Sequence, residues 1–92
     1  MSLDDDRLDA RLEAAFGGTA AERRVVVRQA RDLADSGRFV EAADHELTVE
    51  VVVDNLADAP RGTPSERWNW WMGALGLAFG GFEQFTVRER EE

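Results

Sequence analysis

The chain has 92 residues, enough for one domain with a modest core and too few for two. It carries 19 acidic and 11 basic residues, a formal net charge of -8, and every basic residue is arginine. Because there is no cysteine, disulfides and thiolate metal sites are excluded.

The lysine-free composition, rich in Asp, Glu, Ala and Val, resembles that of proteins from salt-loving archaea, which keep molar potassium inside the cell. At that salt the Debye length falls to about 3 Å or less, so the self-repulsion of the acidic chain is screened. The alternative source is a bacterium with a GC-rich genome and an ordinary acidic protein. The first residues lack the basic and apolar regions of a signal peptide, so we expect a cytoplasmic protein.

The first predicted helix runs from about Leu3 to Phe16. Ser2 is the expected N-cap, and the aspartates that follow suit the positive end of the helix dipole. Leu8 and Leu12 fall on one face, and Gly17-Gly18 ends the helix.

The second predicted helix begins after Thr19, which has the spacing of a capping box with Glu22. It runs to about Ser36, and Gly37 ends it. Its polar side carries a stripe of arginines: Arg23, Arg24, Arg28 and Arg31. In an acidic chain with no aromatic residue between these arginines, we expect them to pair with the chain's own carboxylates and not with nucleic acid.

The third predicted helix spans Arg38 to Ala59, where apolar residues recur at helical spacing. Residues 47–53 are β-branched and partly alternate, a pattern that also fits a strand. A strand at 47–53 would make the fold α+β, and this alternative stays open.

The fourth predicted helix has the clearest start signal in the chain. Thr63 is the N-cap, Pro64 takes the first helical position and Glu66 the third. We expect the helix to cover residues 64–86, including an uncharged run from Trp68 to Phe82.

On a helical wheel this run is apolar on two opposite sides. The side expected to face the core consists of Trp68, Trp71, Leu75, Ala78, Phe82 and Phe85. The opposite side consists of Trp70, Ala74, Leu77 and Gly81. A third line carries almost no side chain: Asn69, Gly73, Gly76 and Gly80.

A helix that is apolar all round must be buried all round, and the other helices of so small a bundle cannot cover it. Four glycines within a helix also cost about 3–4 kcal/mol relative to alanine, which close packing against a neighbour would offset. We therefore expect a second subunit or protein partner on this side. The predicted interface is Asn69, Trp70, Gly73, Ala74, Gly76, Leu77 and Gly80. The alternatives are an irregular monomer core, a helix break near Gly80-Gly81, and contact with lipid.

The same run is too short to cross a membrane. Its 15 residues make about 22 Å of helix, against about 30 Å of hydrocarbon. The acidic balance also opposes binding to anionic lipid. We expect no membrane association.

No catalytic, metal or cofactor site is predicted. His45 is the only histidine, and its acidic neighbours fit a solvated face better than a metal site. The serines Ser2, Ser36 and Ser65 all stand at predicted helix caps.

Two short pieces of the chain combine glycines with aromatic and small apolar residues: Gly37-Arg38-Phe39-Val40-Glu41-Ala42 and Trp71-Met72-Gly73-Ala74-Leu75-Gly76-Leu77. These pieces are similar to segments of an uncharacterised, all-helical family of small archaeal proteins. The resemblance implies a short helical bundle and no mechanism.

We therefore predict an all-α, up-and-down bundle of three to four helices forming a single domain over residues 1–92. The predicted function is a non-enzymatic interaction module that forms a homodimer, or binds a protein partner, through the helix at 64–86. The alternative is a small-ligand-binding or metal-assisted enzyme with a pocket lined by Trp68, Trp70 or Trp71.

Overall fold

A computed structural model describes residues 3–87. These residues form five α-helices and one short 3-10 helix, and no strand occurs among them. The helices are α1 (Asp5–Phe16), α2 (Ala20–Ser36), α3 (Arg38–Ala43), α4 (Val49–Ala57) and α5 (Pro64–Phe79), followed by the 3-10 helix Glu83–Phe85. The predicted all-α bundle is confirmed.

The four longer helices pack in a closed ring. Helix α1 contacts α2 and α4, and α5 contacts the same two helices from the other side. Each helix buries residues three or four apart, as an amphipathic helix must. The fully buried side chains of this core include Leu8, Leu12, Val26, Leu33, Val52, Leu56, Trp68 and Met72.

The N-terminal cap differs from the prediction. Ser2, the predicted N-cap, lies outside the described residues, as do residues 88–92. Helix α1 is capped by Asp4, whose side chain accepts a hydrogen bond from the Arg7 N–H. Serine and aspartate are both favourable N-caps, and three aspartates follow Ser2, so the sequence did not determine which residue caps the helix.

The predicted single helix from Arg38 to Ala59 is wrong, because the chain breaks into α3 and α4. Asp44 adopts a left-handed conformation with φ 68°, which ends α3. Thr48 then caps α4, its hydroxyl accepting a hydrogen bond from the Val51 N–H at 3.2 Å. The alternative strand at 47–53 is also wrong, since Val49 to Val53 are helical.

Helix α5 ends earlier than predicted. It stops at Phe79, and not near residue 86, because Gly80 and Gly81 have φ of 79° and 81°. The helix break that the sequence left open is therefore real. The chain then turns back along α5 through the 3-10 helix to Val87.

The arginine stripe of α2 ties this helix to α1. Arg23 is 7% exposed, and its guanidinium donates to Asp9 Oδ1 at 3.1 Å and to the Gly18 carbonyl at 2.8 Å. Arg31 pairs with Asp5 at 2.9 Å. Arg24 and Arg28 form no ion pair within residues 3–87. The expected pairing with the chain's own carboxylates therefore holds for half of the stripe.

This difference predicts unequal effects of removing two arginines from one helix. Arg23→Ala leaves the Gly18 carbonyl and Asp9 without their charged donor, and we expect the free energy of unfolding to fall by about 1–3 kcal/mol. Arg28→Ala removes the same charge from an exposed position, and we expect a change below about 0.5 kcal/mol. Urea denaturation followed by tryptophan fluorescence measures both, and equal losses would contradict the buried role of Arg23.

Candidate functional site

The four residues from Trp68 to Trp71 point to different sides of α5. Trp68 and Trp71 are buried and Asn69 is partly buried, whereas the side chain of Trp70 is 43% exposed. Neighbouring residues of a helix are about 100° apart around its axis, so four consecutive positions necessarily cover all sides. The segment therefore has an inner part and an outer part with different roles.

The inner tryptophans are core residues. Their rings meet edge to face with centroids 5.6 Å apart, and Trp71 contacts Phe39 of α3 in the same way at 5.7 Å. The indole N–H of Trp68 donates to the carbonyl of Phe85 at 2.8 Å. A fully buried indole needs such an acceptor, and the chain turning back after α5 supplies it.

Asn69 holds the C-terminal segment, residues 82–87. Its amide donates to the Val87 carbonyl at 2.9 Å, and its Oδ1 accepts from the Val87 N–H at 2.7 Å. The side-chain amide thereby pairs with a backbone unit as a neighbouring strand would. The structure thus places Asn69, one of the predicted interface residues, against the chain's own C-terminal segment.

The outer face of α5 consists of Trp70, Gly73, Ala74 and Leu77. All four are exposed, and Leu77 is 93% exposed, the most of any large apolar side chain described. These residues follow the spacing i, i+3, i+4, i+7 and so form one continuous stripe. Within residues 3–87 no helix, α5 included, has the length and apolarity needed to cross a membrane.

The glycines predicted to line the interface separate into two groups. A Cβ added at Gly73 or Gly76 would meet no atom within 4 Å. Nothing inside the monomer therefore requires glycine there, although each costs about 0.8–1.0 kcal/mol of helix stability relative to alanine. Gly80 is different, because it ends the helix at positive φ and its N–H donates to the Gly76 carbonyl at 2.8 Å.

A polar cluster, in which only Ser65 is buried, holds the first turn of α5. The predicted capping box between Thr63 and Glu66 is present in both directions. The Ser65 hydroxyl and N–H both donate to Glu22 of α2, at 2.7 and 3.0 Å. Burial by itself raises the pKa of the Glu22 carboxyl, but hydrogen bonds from the Thr63 and Ser65 side chains and from backbone N–H groups outweigh it. The pKa of Glu22 therefore lies below its ordinary value.

Arg67 fixes α5 against the preceding loop. Its guanidinium donates to the carbonyls of Gly62 at 2.8 Å and Leu56 at 3.0 Å, and it lies 4.6 Å from the centre of the Phe16 ring. Sequence reasoning missed this role and that of Glu22. The capping spacing of Glu22 suggested a local partner, and an arginine beside an uncharged run gives no sign of which carbonyls it will meet.

The other residues considered for chemistry stand apart from one another. His45 is exposed, with its Nδ1 3.1 Å from the Glu46 carbonyl and its ring against Phe39. Among residues 3–87, no cluster of three or more His, Cys, Asp or Glu side chains is placed to hold a metal ion. A groove of about 450 Å³ lies between α2, α3 and the loop before α4, and its lining contains no tryptophan.

Comparison with known proteins identifies the family of this chain. A family model described as the WNWW domain matches residues 1–76, which end within the outer face of α5. Neither the curated proteins nor the solved structures contain a match to this chain.

The low pKa of Glu22 predicts a pH-dependent contribution to folding. A carboxyl whose pKa is lower in the folded state stabilises the fold above its unfolded pKa of about 4.3, and this contribution disappears as the pH falls through the folded value. We expect Glu22→Gln to reduce the free energy of unfolding at pH 7 by about 1–2 kcal/mol, and the difference from wild type to shrink below pH ~4. Urea denaturation at a series of pH values measures this difference.

Glu41→Gln is the matched control at pH 7. It removes the same charge from an exposed side chain, and we expect a change below about 0.5 kcal/mol. A wild-type advantage over Glu22→Gln that stayed constant down to pH ~3 would contradict the assigned role of the Glu22 carboxylate.

Proposed function

The chain belongs to the WNWW domain family, and we propose that it acts as an interaction module that forms a homodimer through the outer face of α5. The observation that carries this proposal is the exposure of Leu77 and Trp70, two large apolar side chains on one stripe with only small residues between them. Isolated exposed apolar residues are common on protein surfaces, but a continuous apolar stripe favours an interface.

The order of side chains on the outer face favours a second copy as the partner. It reads large, small, small, large, from Trp70 through Gly73 and Ala74 to Leu77. A two-fold axis between two antiparallel helices pairs position i of one copy with position j of the other and the reverse. Centred between Gly73 and Ala74, such an axis sets Trp70 of each copy opposite Leu77 of the other, while the small residues allow the helix axes to approach closely.

The glycines of α5 fit the same arrangement. In the monomer, Gly73 and Gly76 border open space. Each glycine lowers helix stability, and no packing contact within the monomer offsets that loss. A helix packed across this side would use the missing Cβ atoms for close contact. One helix face per copy buries an area at the low end of protein interfaces, below about 1,200 Å², so we expect a weak, concentration-dependent dimer.

The charge distribution makes this association depend on the salt concentration. No charged residue occurs from Trp68 to Phe82, so the contact itself brings no carboxylates together. The rest of the surface is acidic, and no Asp or Glu among residues 3–87 is buried. Two copies with a net charge of -8 each repel one another in dilute buffer. The proposed setting is therefore the molar salt of an archaeal cytoplasm, in keeping with the composition.

Replacing Leu77 tests the dimer. We expect the mass of the wild-type chain to rise with concentration from 10.3 kDa towards twice that value. Leu77→Glu should remain monomeric, because the carboxylate would have to be desolvated at the contact. Sedimentation equilibrium in about 2 M KCl, where the Debye length is below about 3 Å, measures the mass without long-range repulsion.

Two further variants sharpen this test. Val25→Glu adds the same charge at an exposed apolar residue of α2, and it should dimerise like the wild type. Gly73→Leu should stabilise the monomer by up to about 1 kcal/mol through helix propensity and still weaken the dimer. The proposal is wrong if Leu77→Glu associates as strongly as the wild-type chain.

The proposed milieu predicts a strong dependence of stability on salt. Raising KCl from about 0.1 M to about 2 M shortens the Debye length from about 10 Å to below 3 Å and screens repulsion among the exposed carboxylates. We expect both the melting temperature and the helicity seen in the far-UV spectrum to be low at about 0.1 M KCl and to rise steeply towards about 2 M. Circular dichroism measures both, and a melting temperature indifferent to KCl would refute the halophilic setting.

A further inference from the structure

The C-terminal segment, which contains the 3-10 helix Glu83–Phe85, lies in a groove of the bundle. Phe82, Phe85 and Val87 are each at least nine-tenths buried, whereas Glu83 and Gln84 are exposed. Trp68 binds the backbone of Phe85 and Asn69 binds both backbone groups of Val87. Backbone hydrogen bonds together with buried side chains thus hold the segment in the groove as a bound peptide would be held.

A two-glycine hinge joins this segment to α5. Gly80 and Gly81 both have positive φ, a conformation that other residues rarely adopt. The closed hinge is held from outside by Arg38 of α3, whose guanidinium donates to the Gly80 carbonyl at 3.1 Å and lies 5.7 Å from the centre of the Phe82 ring. A Cβ at position 81 would also overlap the Arg38 Nη2, so the arginine side chain would have to move. The closed form thus depends on glycine at this point.

From these contacts we propose that the groove formed by Trp68 and Asn69 is a peptide-binding site that accepts the C-terminal segment of a second copy, so that two copies exchange residues 82–87. The groove contacts are the same whether the segment comes from its own chain or from the other copy. Exchange therefore changes only the hinge and the entropy of association, which makes it a low-cost route to a dimer. It does not use the outer face of α5, so the two modes of association are separable.

The hinge supplies the decisive variant. Gly81→Ala disfavours the closed hinge, because an alanine at positive φ is about tenfold less favourable and would also displace Arg38. An opened hinge can extend at negative φ and carries no such penalty. Because each exchanged dimer opens two hinges, Gly81→Ala should raise its association constant about tenfold per hinge, or about a hundredfold in all.

The measurement uses full-length chains that carry Leu77→Glu, which removes the outer face of α5 from the experiment. Sedimentation equilibrium compares Leu77→Glu with Leu77→Glu/Gly81→Ala, and we expect the second to dimerise. Adding Asn69→Ala to both copies weakens the docking of the segment in the monomer and in the dimer alike, so the groove itself is tested with two chains that differ. The effect of Leu77→Glu alone tests the proposed function, so either idea can fail without the other.

A mixing experiment tests the same site without a change in the hinge. Both chains carry Leu77→Glu. The Asn69→Ala chain keeps its C-terminal segment and loses the groove contact, whereas the Phe85→Ala chain keeps the groove and loses the segment. Native mass spectrometry of the mixture should show a one-to-one heterodimer that neither chain forms with itself. The proposal is overturned if Leu77→Glu/Gly81→Ala stays monomeric or unfolds, or if the mixture gives no heterodimer.

Discussion

The fully buried indole of Trp68 sets the main constraint on this fold. A large ring in the middle of a small bundle needs apolar neighbours on every side and an acceptor for its one N–H. Helices α2 and α4 flank α5, and Trp71 and Met72 fill the adjoining space. The acceptor is the Phe85 carbonyl, which reaches the indole only because α5 stops at Phe79 and the chain turns back. The glycine hinge and the C-terminal segment thus follow from the burial of one side chain.

Two polar anchors keep α5 in the position that this burial needs. Glu22 of α2 receives both donors of Ser65, and Arg67 reaches back to carbonyls around the end of α4. Both anchors act on the first turn, so the other end of the helix is positioned mainly by Gly80 and the C-terminal segment. The outer face lies between these fixed ends, on a rigid element whose exposed side chains need no rearrangement to meet a partner.

What could be predicted from the sequence depended on how local each signal is. The caps at Thr19 and Thr63 and the end of α2 at Gly37 involve residues within one helical turn, and each prediction was right. The break at Asp44 was missed because a left-handed aspartate has no distinctive sequence context. The length of α5 was overestimated because the helical wheel cannot register that a glycine pair turns the chain back.

The candidate site shows the same limit. The wheel separated the outer residues Trp70 and Leu77 from Trp68, and the exposures agree with that division. It also grouped Asn69 with the glycines as one smooth line, although Asn69 binds Val87, a residue eighteen positions away. Contacts over such distances depend on the packed fold, and periodicity within one helix contains no information about them.

The unequal environments of the three tryptophans have a spectroscopic consequence. Trp68 and Trp71 are shielded from solvent, so a water-soluble quencher meets chiefly the indole of Trp70. Emission from the folded chain therefore divides into an inaccessible component from the core and an accessible one from the outer face. The molecule therefore carries a fluorescent reporter, Trp70, at the surface where we place its contact, and an internal reference on the buried side of the same helix.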